Sequence, residues 1–320
     1  GTTGDGFAPL IRGTTIRVRG RAPLPPPLPT PLEELVHGRL DCHRVIVRTT
    51  VRSMHRTWGR LYLNVGEASG RFEVHVAEYQ HPLPRHLLHA RVELNGIASV
   101  KLNERGNVIG ARVSVASAED IRILTPAPEQ PWDRPTQTIG TLGRLDPQGS
   151  THLRTKVRGQ VTLATASGRI FLEDESGGVE LRRPPQPAEV DANGDYLTAS
   201  APPEIHPGDH IEALGYVTPA PHAALLNDTT LRRTATGQLP PAPAMTAEGI
   251  LQDHLHARRV RLEGRVLASE VTTGTQGFVH RLTLDSDGIV LTAEHEGSQP
   301  LPAAVNRSEE RRVGKECRSR

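Results

Sequence analysis

The sequence repeats itself at a fixed interval. Residues 8–53 align without a gap with residues 223–268, at a constant offset of 215 positions, and a looser copy of the same pattern lies between them, around residues 153–217. The identical positions of the gapless alignment include Thr14/Thr229, Thr15/Thr230, Arg17/Arg232, Leu24/Leu239, Pro25/Pro240, Glu33/Glu248, Arg44/Arg259, Val45/Val260 and Val51/Val266. An internal repeat of this kind indicates an array of similar small domains. This organisation argues against most enzyme folds.

Proline-rich segments separate the copies. They occupy residues 22–31, 125–135 and 239–243. Because proline fixes φ and lacks a backbone N–H, such runs act as stiff, extended connectors and not as sheet interiors.

Each connector is followed by the signal of a short helix. After the first connector, Thr30 is expected to cap a helix that begins at Pro31 and has Glu33 three residues after the cap. After the third connector, Thr246-Ala247-Glu248 predicts a similar helix, although Gly249 weakens it.

Strands with alternating apolar residues follow each helix. The apolar positions of the first strand are Val45, Val47 and Val51, then Val157, Val161 and Leu163, then Val260, Leu262 and Val266. The second strand matches between Gly59–Leu63 and Gly168–Leu172, and a third strand follows a short turn. Fourth strands are predicted at residues 90–96 and 209–215, and fifth strands at residues 110–116 and 224–232.

Five short strands with a bent first strand describe a small Greek-key barrel of the OB type. The predicted fold class is therefore all-β, with tandem OB-like barrels, short linking helices and a truncated last copy. Gly159 and Gly264 lie where the first strand would bend, but the first copy has Thr49-Thr50 there. The bend of the first copy is accordingly in question.

The predicted domain boundaries follow from the connectors and strands. Residues 1–21 are the end of a preceding truncated repeat, 30–124 the first OB-like repeat, 136–236 the second, 246–306 an incomplete third, and 307–320 an artefact.

The last fourteen residues, 307–320, resemble the translation of a sequencing adapter. Without them the chain loses six Lys/Arg and three Asp/Glu, so its formal net charge changes from +2 to about −1. The basic footprint expected of a sequence-independent nucleic-acid binder is then absent. We expect the natural chain to continue past Asn306.

Cysteine content and hydropathy give two further limits. Excluding the tail also removes Cys317 and leaves Cys42 alone, so no intramolecular disulfide and no cysteine-based metal site can form. A lone thiol fits cytoplasm or a bacterial periplasm. The sequence has no run of eighteen apolar residues, so nothing in this fragment is expected to span a membrane.

The order and spacing of several segments together carry a family resemblance. These segments are Asp41–Val47 with Val51–Ser53, Asn107–Arg112, Leu145–Pro147, Val157–Thr162, Phe171–Asp174 with Ser176–Gly178, Pro207–Asp209, and Val260–Val266. This order resembles the N-terminal region of certain bacterial sensor histidine kinases. Those proteins place tandem OB-like repeats outside the membrane, followed by a transmembrane helix and a cytoplasmic kinase core.

The resemblance implies an extracytoplasmic sensory or scaffold region of a two-component receptor, non-catalytic in itself and located in the periplasm. It also implies a small ligand or periplasmic partner of unknown identity, a homodimer as part of the receptor, and membrane contact only through a missing downstream segment. The parent protein would be a histidine protein kinase. Its phospho-acceptor and ATP-binding motifs have no counterpart in this chain, so no catalytic residue is assigned.

Candidate chemistry elsewhere in the sequence is sparse. His86 with His89, and His254 with His256, have short spacings, but neither pair has a third ligand nearby in a zinc-like pattern. We therefore assign no metal and no cofactor.

The alternative function is a freestanding OB-repeat protein that binds an oligonucleotide or oligosaccharide. OB barrels stack bases on aromatic side chains of strands two and three. If Leu61 and Leu63 point inward, Tyr62 points outward, and Phe171 occupies the same place in the second copy. Tyr62 and Phe171 are therefore the predicted ligand-binding residues. The third copy has Thr283 there, and the corrected charge argues against nucleic acid.

Overall fold

The structure is a computed structural model of the chain. It describes residues 2–4, 10–13, 15, 17–36, 39–57, 59–67, 70–77, 79, 81–143, 153–165, 167–183, 189–190, 196–197, 204–218, 224–252, 255–274, 277–297 and 299. These residues form two compact units, which are described separately. The first consists mainly of Gly1–Gln130, and the second of Pro131–Gln148, Leu153–Pro184 and Pro202–Arg320.

The first unit is a β-barrel preceded by a short helix. Its elements are β1 (Thr2–Gly4), β2 (Leu10–Arg12), β3 (Leu28–Pro29), α1 (Leu32–Val36), β4 (Arg44–Thr57), β5 (Arg60–Glu67), β6 (Gly70–Val76), β7 (Arg91–Leu102), β8 (Val108–Val115) and β9 (Ile121–Thr125). The sheet runs β3-β4-β5-β6-β8-β7-β9, and an additional pairing of β4 with β7 closes it. The five strands β4, β5, β6, β8 and β7 thus form the OB strand order, and we call them barrel 1.

Alternation along the strands fills the interior of barrel 1. On β5, Leu61, Leu63 and Val65 are fully buried, and the residues between them face outward. The same period on β6 buries Phe72 and Val74. Together with residues of β4, β7 and β8 they form one continuous apolar cluster.

The second unit contains barrel 2 and the third repeat. Its elements are β10 (Thr155–Ala164), β11 (Arg169–Asp174), β12 (Gly177–Arg182), β15 (His210–Thr218), β16 (Leu225–Ala235), α2 (Ala247–Gln252), β17 (Arg265–Gly274), β18 (Gly277–Ser286) and β19 (Ile289–Gly297). Between β12 and β15 the chain forms the short pair β13 (Glu189–Val190) and β14 (Tyr196–Leu197), which belongs to the first unit. Barrel 2 is closed, in the order β10-β11-β12-β16-β15. Its core is a separate apolar cluster that includes Val157, Val161 and Leu172.

The third repeat is an open sheet in the described part of the chain. β17, β18 and β19 pair consecutively and antiparallel. Among its described residues, Ala247 is the one buried hydrophobic side chain. No described helix is long and apolar enough to cross a membrane.

The same device begins each of the three repeats. The end of the connector pairs in parallel with the start of the first-strand segment, and a backbone N–H donates across this pairing. In the first repeat Pro29 pairs with Ile46, and the Thr30 N–H donates to the Ile46 carbonyl at 3.0 Å. In the second, Thr136 pairs with Lys156, and the Gln137 N–H donates to the Lys156 carbonyl at 2.8 Å. In the third, Ala244 pairs with Arg261, and the Met245 N–H donates to the Arg261 carbonyl at 3.0 Å. The connectors are therefore extended, as expected, and in the first repeat the connector adds the edge strand β3 to the sheet.

These observations confirm the all-β fold class of OB-like barrels with short linking helices. One predicted helix start is correct, because Thr246 Oγ1 accepts a hydrogen bond from the N–H of Gly249 at 3.1 Å. The other is wrong. Thr30 is buried and donates its hydroxyl to the Leu28 carbonyl at 2.9 Å, and the helix begins at Leu32.

The first strand bends at the same place in every copy. Its register shifts between Val51 and Ser53, between Val161 and Leu163, and between Val266 and Ala268. The first copy therefore keeps the bend without glycine, with Thr49 and Thr50 buried. Gly159 is required in the second copy, because a Cβ there would lie 2.3 Å from the Glu173 carbonyl oxygen.

Two expectations for the first strand are wrong. Leu163 is 47% exposed, because the extra residue of the bulge turns it to the outer face of barrel 2. In the third repeat, Val260 and Leu262 precede the strand, which begins at Arg265.

Candidate functional site

Two rows of side chains cross the outer face of barrel 1. The strand pairing places His55, Tyr62, His75 and Ser114 side by side on β4, β5, β6 and β8. The neighbouring row contains Ser53, Asn64, Glu73 and Arg112 in the same order. Leu61 and Leu63 point into the core, so Tyr62 points outward as predicted.

The barrel's own histidines already contact the Tyr62 ring. His55 stacks on it with a centroid distance of 4.8 Å and an interplanar angle of 4°. His75 meets it in a T-shaped arrangement at 4.4 Å. One face of Tyr62 is therefore covered, and a ligand ring could stack on that face only after His55 moved.

A carboxylate organises the second row. Glu73 accepts hydrogen bonds from His75 and, at 2.9 Å, from Lys101 Nζ, and it lies 3.6 Å from Arg112 Nε. Partial burial works to raise the pKa of Glu73, but the hydrogen bonds from Lys101 and His75 outweigh it and lower the pKa. The negative charge of Glu73 thus offsets the surrounding positive charges.

Both histidines of this surface are biased towards their neutral form. Burial lowers the pKa of His75, and the hydrogen bond to Glu73 offsets only part of this effect. Burial also lowers the pKa of His55, against a smaller opposing effect of Glu73. A neutral His75 avoids the charge repulsion that Arg112 and Lys101 would exert on its protonated form.

Phe171 occupies the equivalent outward position on β11 of barrel 2. Its neighbours Ile170 and Leu172 are buried in the core. The guanidinium of Arg169 lies over the ring, 5.2 Å from its centroid, and donates to both carboxylate oxygens of Glu180 at 3.0 and 3.2 Å. A cation on the ring face is favourable by itself, so this face of Phe171 is also occupied.

Strand β19 of the third repeat lies along the same face. It shares with barrel 2 a cleft of about 560 Å³ that is lined by Phe171, Leu163, Thr292 and His295. The Ser167 N–H donates to Glu296 Oε2 at 3.2 Å, and Arg169 Nη1 lies 4.0 Å from Glu296 Oε1. The outer face of barrel 2 is therefore in contact with the next repeat.

A second contact joins the β11–β12 hairpin of barrel 2 to the turn before the third-repeat strands. The Arg259 N–H donates to the Glu173 carboxylate. Arg258 Nη2 donates to the Glu175 carbonyl at 3.1 Å. At Gly178 the two backbones lie so close that a Cβ would be 2.2 Å from the Ala257 carbonyl oxygen.

The two predicted binding residues thus have different surroundings, and they lie in different units. Tyr62 belongs to a ring cluster of its own barrel, whereas Phe171 faces the adjacent repeat. Three residues that surround Tyr62 were not predicted from the sequence, namely His55, His75 and Glu73. The described residues contain no group of three or more His, Cys, Asp or Glu side chains placed to hold a metal ion. His254, one member of a histidine pair considered above, lies outside the described residues.

Comparisons with known proteins give only distant similarities. No protein-family model and no curated protein matches the sequence. Among solved structures, the aspartyl-tRNA synthetase of Entamoeba histolytica matches at 16% identity over 31% of this chain and 22% of its own length, with a TM-score of 0.25. An OBody bound to hen egg-white lysozyme matches at 18% identity, over 32% of this chain and 100% of its own, with a TM-score of 0.24.

The tetrameric p202 HIN2 structure is similar over a larger share of the chain. It matches at 10% identity over 60% of this chain and 92% of its own length, with a TM-score of 0.24. Scores this low support no conclusion about function, and the assignment of the OB fold rests on the strand order described above.

Proposed function

We propose that this chain is a non-catalytic scaffold within the extracytoplasmic sensory region of a bacterial two-component receptor. One observation carries the scaffold part of the proposal. The outer face of barrel 2, where an OB barrel would bind a ligand, is in contact with the next repeat, because Ser167 and Arg169 both interact with Glu296 beside the cleft at Phe171. A barrel whose ligand-binding face contacts the adjacent repeat connects the repeats of an array.

Such an array can pass on a displacement. The contact between barrel 2 and the third repeat is made by a few hydrogen bonds and ion pairs, so it has a modest free energy that a ligand or partner could shift. A partner that binds one arrangement of two repeats better than another would change the geometry of the array. In the proposed receptor, this change would favour one arrangement of the helices that cross the membrane over another.

The receptor part of the proposal depends on the family resemblance. The resemblance implies that the region lies in the periplasm, that the parent protein has a kinase output and that the receptor is a homodimer. The triggering ligand or periplasmic partner is unidentified. These properties are proposals about the parent protein and follow from no contact described above.

Membrane topology tests the receptor proposal. Alkaline phosphatase or green fluorescent protein would be fused, as a reporter, to the product of the complete gene. One fusion site lies directly after residue 297, and the second lies in the output domain. We expect alkaline phosphatase to be active and green fluorescent protein to be dark at the first site, with the reverse at the second. Fluorescence at the first site would place the repeats in the cytoplasm and refute the proposal.

A second candidate function is binding of an oligonucleotide on barrel 1. The observation that favours it is the row His55–Tyr62–His75, which puts Tyr62 and His75 on strands two and three, the strands that OB proteins use for stacking, with His55 beside them on strand one. Anisotropy of a labelled single-stranded oligonucleotide at low salt is the test. Binding that Tyr62→Ala weakens about tenfold, and that Ile109→Ala leaves unchanged, would support this function. Ile109 is a suitable control because it is 63% exposed and lies outside the row.

A further inference from the structure

The turn before the first strand has the same geometry in the first and third repeats. Cys42 has φ 63° and Ala257, 215 positions later, has φ 57°. Both are non-glycine residues in the left-handed region, which such residues rarely adopt. The two chain segments therefore have a left-handed residue at the same position, and His43 and Arg44 in one match Arg258 and Arg259 in the other.

The connector contacts the turn in the same way in the first and third repeats. Arg44 Nη1 donates to the Pro25 carbonyl at 2.8 Å, and the Arg259 guanidinium donates to the Pro240 carbonyl. Turn and connector enclose a groove in each repeat, of about 610 Å³ in the first and about 430 Å³ in the third.

The two grooves differ in what lies against them. In the third repeat, the β11–β12 hairpin of barrel 2 contributes Glu173, Asp174 and Glu175 to the lining. In the first repeat, the groove is lined by residues of its own unit, among them Leu24 and Leu28, which are 73% and 45% exposed, and Ile97, which is 44% exposed. This groove thus combines exposed apolar side chains with His43, Arg44 and one carboxylate, Asp120, which accepts a hydrogen bond from the Ser117 N–H at 3.3 Å.

We propose that the groove of the first repeat, formed by residues 24–28 and the turn 42–44, binds the β11–β12 hairpin of barrel 2 from a second copy of the chain. The hairpin fits for two reasons. It already binds the equivalent turn in the third repeat, through the Arg258 guanidinium and the Arg259 N–H, and its carboxylates complement the guanidinium of Arg44. This interaction goes beyond the proposed scaffold function, because it joins separate chains.

The chain's own third repeat competes for the same hairpin. A tethered partner has an effective concentration in the millimolar range, so the contact within one chain prevails in dilute solution. Displacement of the third repeat frees the hairpin for a second chain. Because groove and hairpin are different surfaces, the contact is head-to-tail and extends to oligomers larger than a dimer.

The test uses a chain whose third repeat is released. In Ala257→Val with Arg258→Glu, a β-branched residue opposes the left-handed turn, and a carboxylate replaces the guanidinium that binds Glu175. Hydrogen exchange at residues 255–265 reports the release. Sedimentation velocity at roughly 0.1 mM should then show a mass that increases with concentration by about twofold or more.

Two further variants decide whether the association uses the proposed groove. Adding His43→Glu to the released chain should return it to the monomer, because it places a carboxylate opposite the acidic hairpin. Adding Arg261→Glu instead, a charge reversal at an exposed position of the third repeat, should leave the released chain associated. A released chain that stays monomeric, or one whose association survives His43→Glu, would overturn the proposal.

Discussion

Replacement of Gly178 by alanine should separate the third repeat from barrel 2 without disturbing the barrel. An added Cβ would lie 2.2 Å from the Ala257 carbonyl oxygen, 2.5 Å from its carbonyl carbon and 3.0 Å from the Arg258 nitrogen. All three atoms belong to the backbone, so no flexible side chain can move aside. Gly178 does not have a positive φ, so alanine can adopt its conformation without strain.

The size of the effect follows from these distances. A carbon and a carbonyl oxygen in contact are about 3.3 Å apart, so the turn must withdraw by roughly 1 Å. Such a shift weakens the hydrogen bond from the Arg259 N–H to the Glu173 carboxylate, and bonds to charged groups contribute about 1.5–3 kcal/mol. We expect a loss of about 2 kcal/mol in docking free energy, which corresponds to a roughly 30-fold change in the docking equilibrium.

Hydrogen exchange of the Arg259 amide measures this loss directly. If docking protects the amide, its exchange rate scales with the population of the undocked state. The matched control is Gly177→Ala, because a Cβ at the adjacent glycine would meet its nearest atoms at an ordinary 3.4 Å. Unchanged protection in Gly178→Ala, or equal acceleration in the control, would refute the assigned contact.

Three further predictions concern the barrels. Glu93→Gln should destabilise barrel 1 by about 1 kcal/mol at neutral pH, because hydrogen bonds from Arg48 and Arg122 lower the pKa of Glu93. That stabilisation is present above the carboxyl's ordinary pKa and is lost as the pH falls through its lowered value, so urea midpoints of variant and wild type should converge in acid. The pKa of His75, measured by NMR titration, should lie below the ordinary value and fall further in Glu73→Gln, which removes a partner that raises it; a rise would contradict the assignment. Leu172→Ala should cost about 2–5 kcal/mol in the transition of barrel 2 alone, and a calorimetric shift of both barrels would show that their cores are not separate.

The repeat and the strand alternation were enough to predict the barrels. Alternating burial on β5 and β11 follows directly from the sequence, and so do the outward positions of Tyr62 and Phe171. The cap at Thr246 was also predictable, because the chemistry is local. At Thr30 the same signal failed, since the parallel pairing of Pro29 with Ile46 continues through Thr30 and delays the helix.

The neighbours of Tyr62 could not be predicted, because they depend on register. The bulge between Val51 and Ser53 shifts the pairing of β4 with β5 by one residue. Without this shift, Tyr62 would oppose Met54, which points into the core, and not His55. The alternation of a single strand contains no information about this insertion.

The surroundings of Phe171 could be predicted only in part, because they also depend on how the third repeat packs against barrel 2. Arg169 lies two residues earlier on the same face, so its contact with the ring was within reach of period-two reasoning. The approach of Glu296 was not, because it comes from a repeat more than a hundred residues away. Composition and spacing do not specify which face of barrel 2 meets the third repeat.

The sequence of the source gene beyond codon 306 tests the receptor account most directly. With the adapter-like tail removed, the reading frame should complete the third barrel and then encode an apolar helix of about 20 residues and a histidine kinase core. A stop codon soon after the third barrel closes would contradict the account, and barrel 1 with Tyr62 would then be the surface to examine for ligand binding.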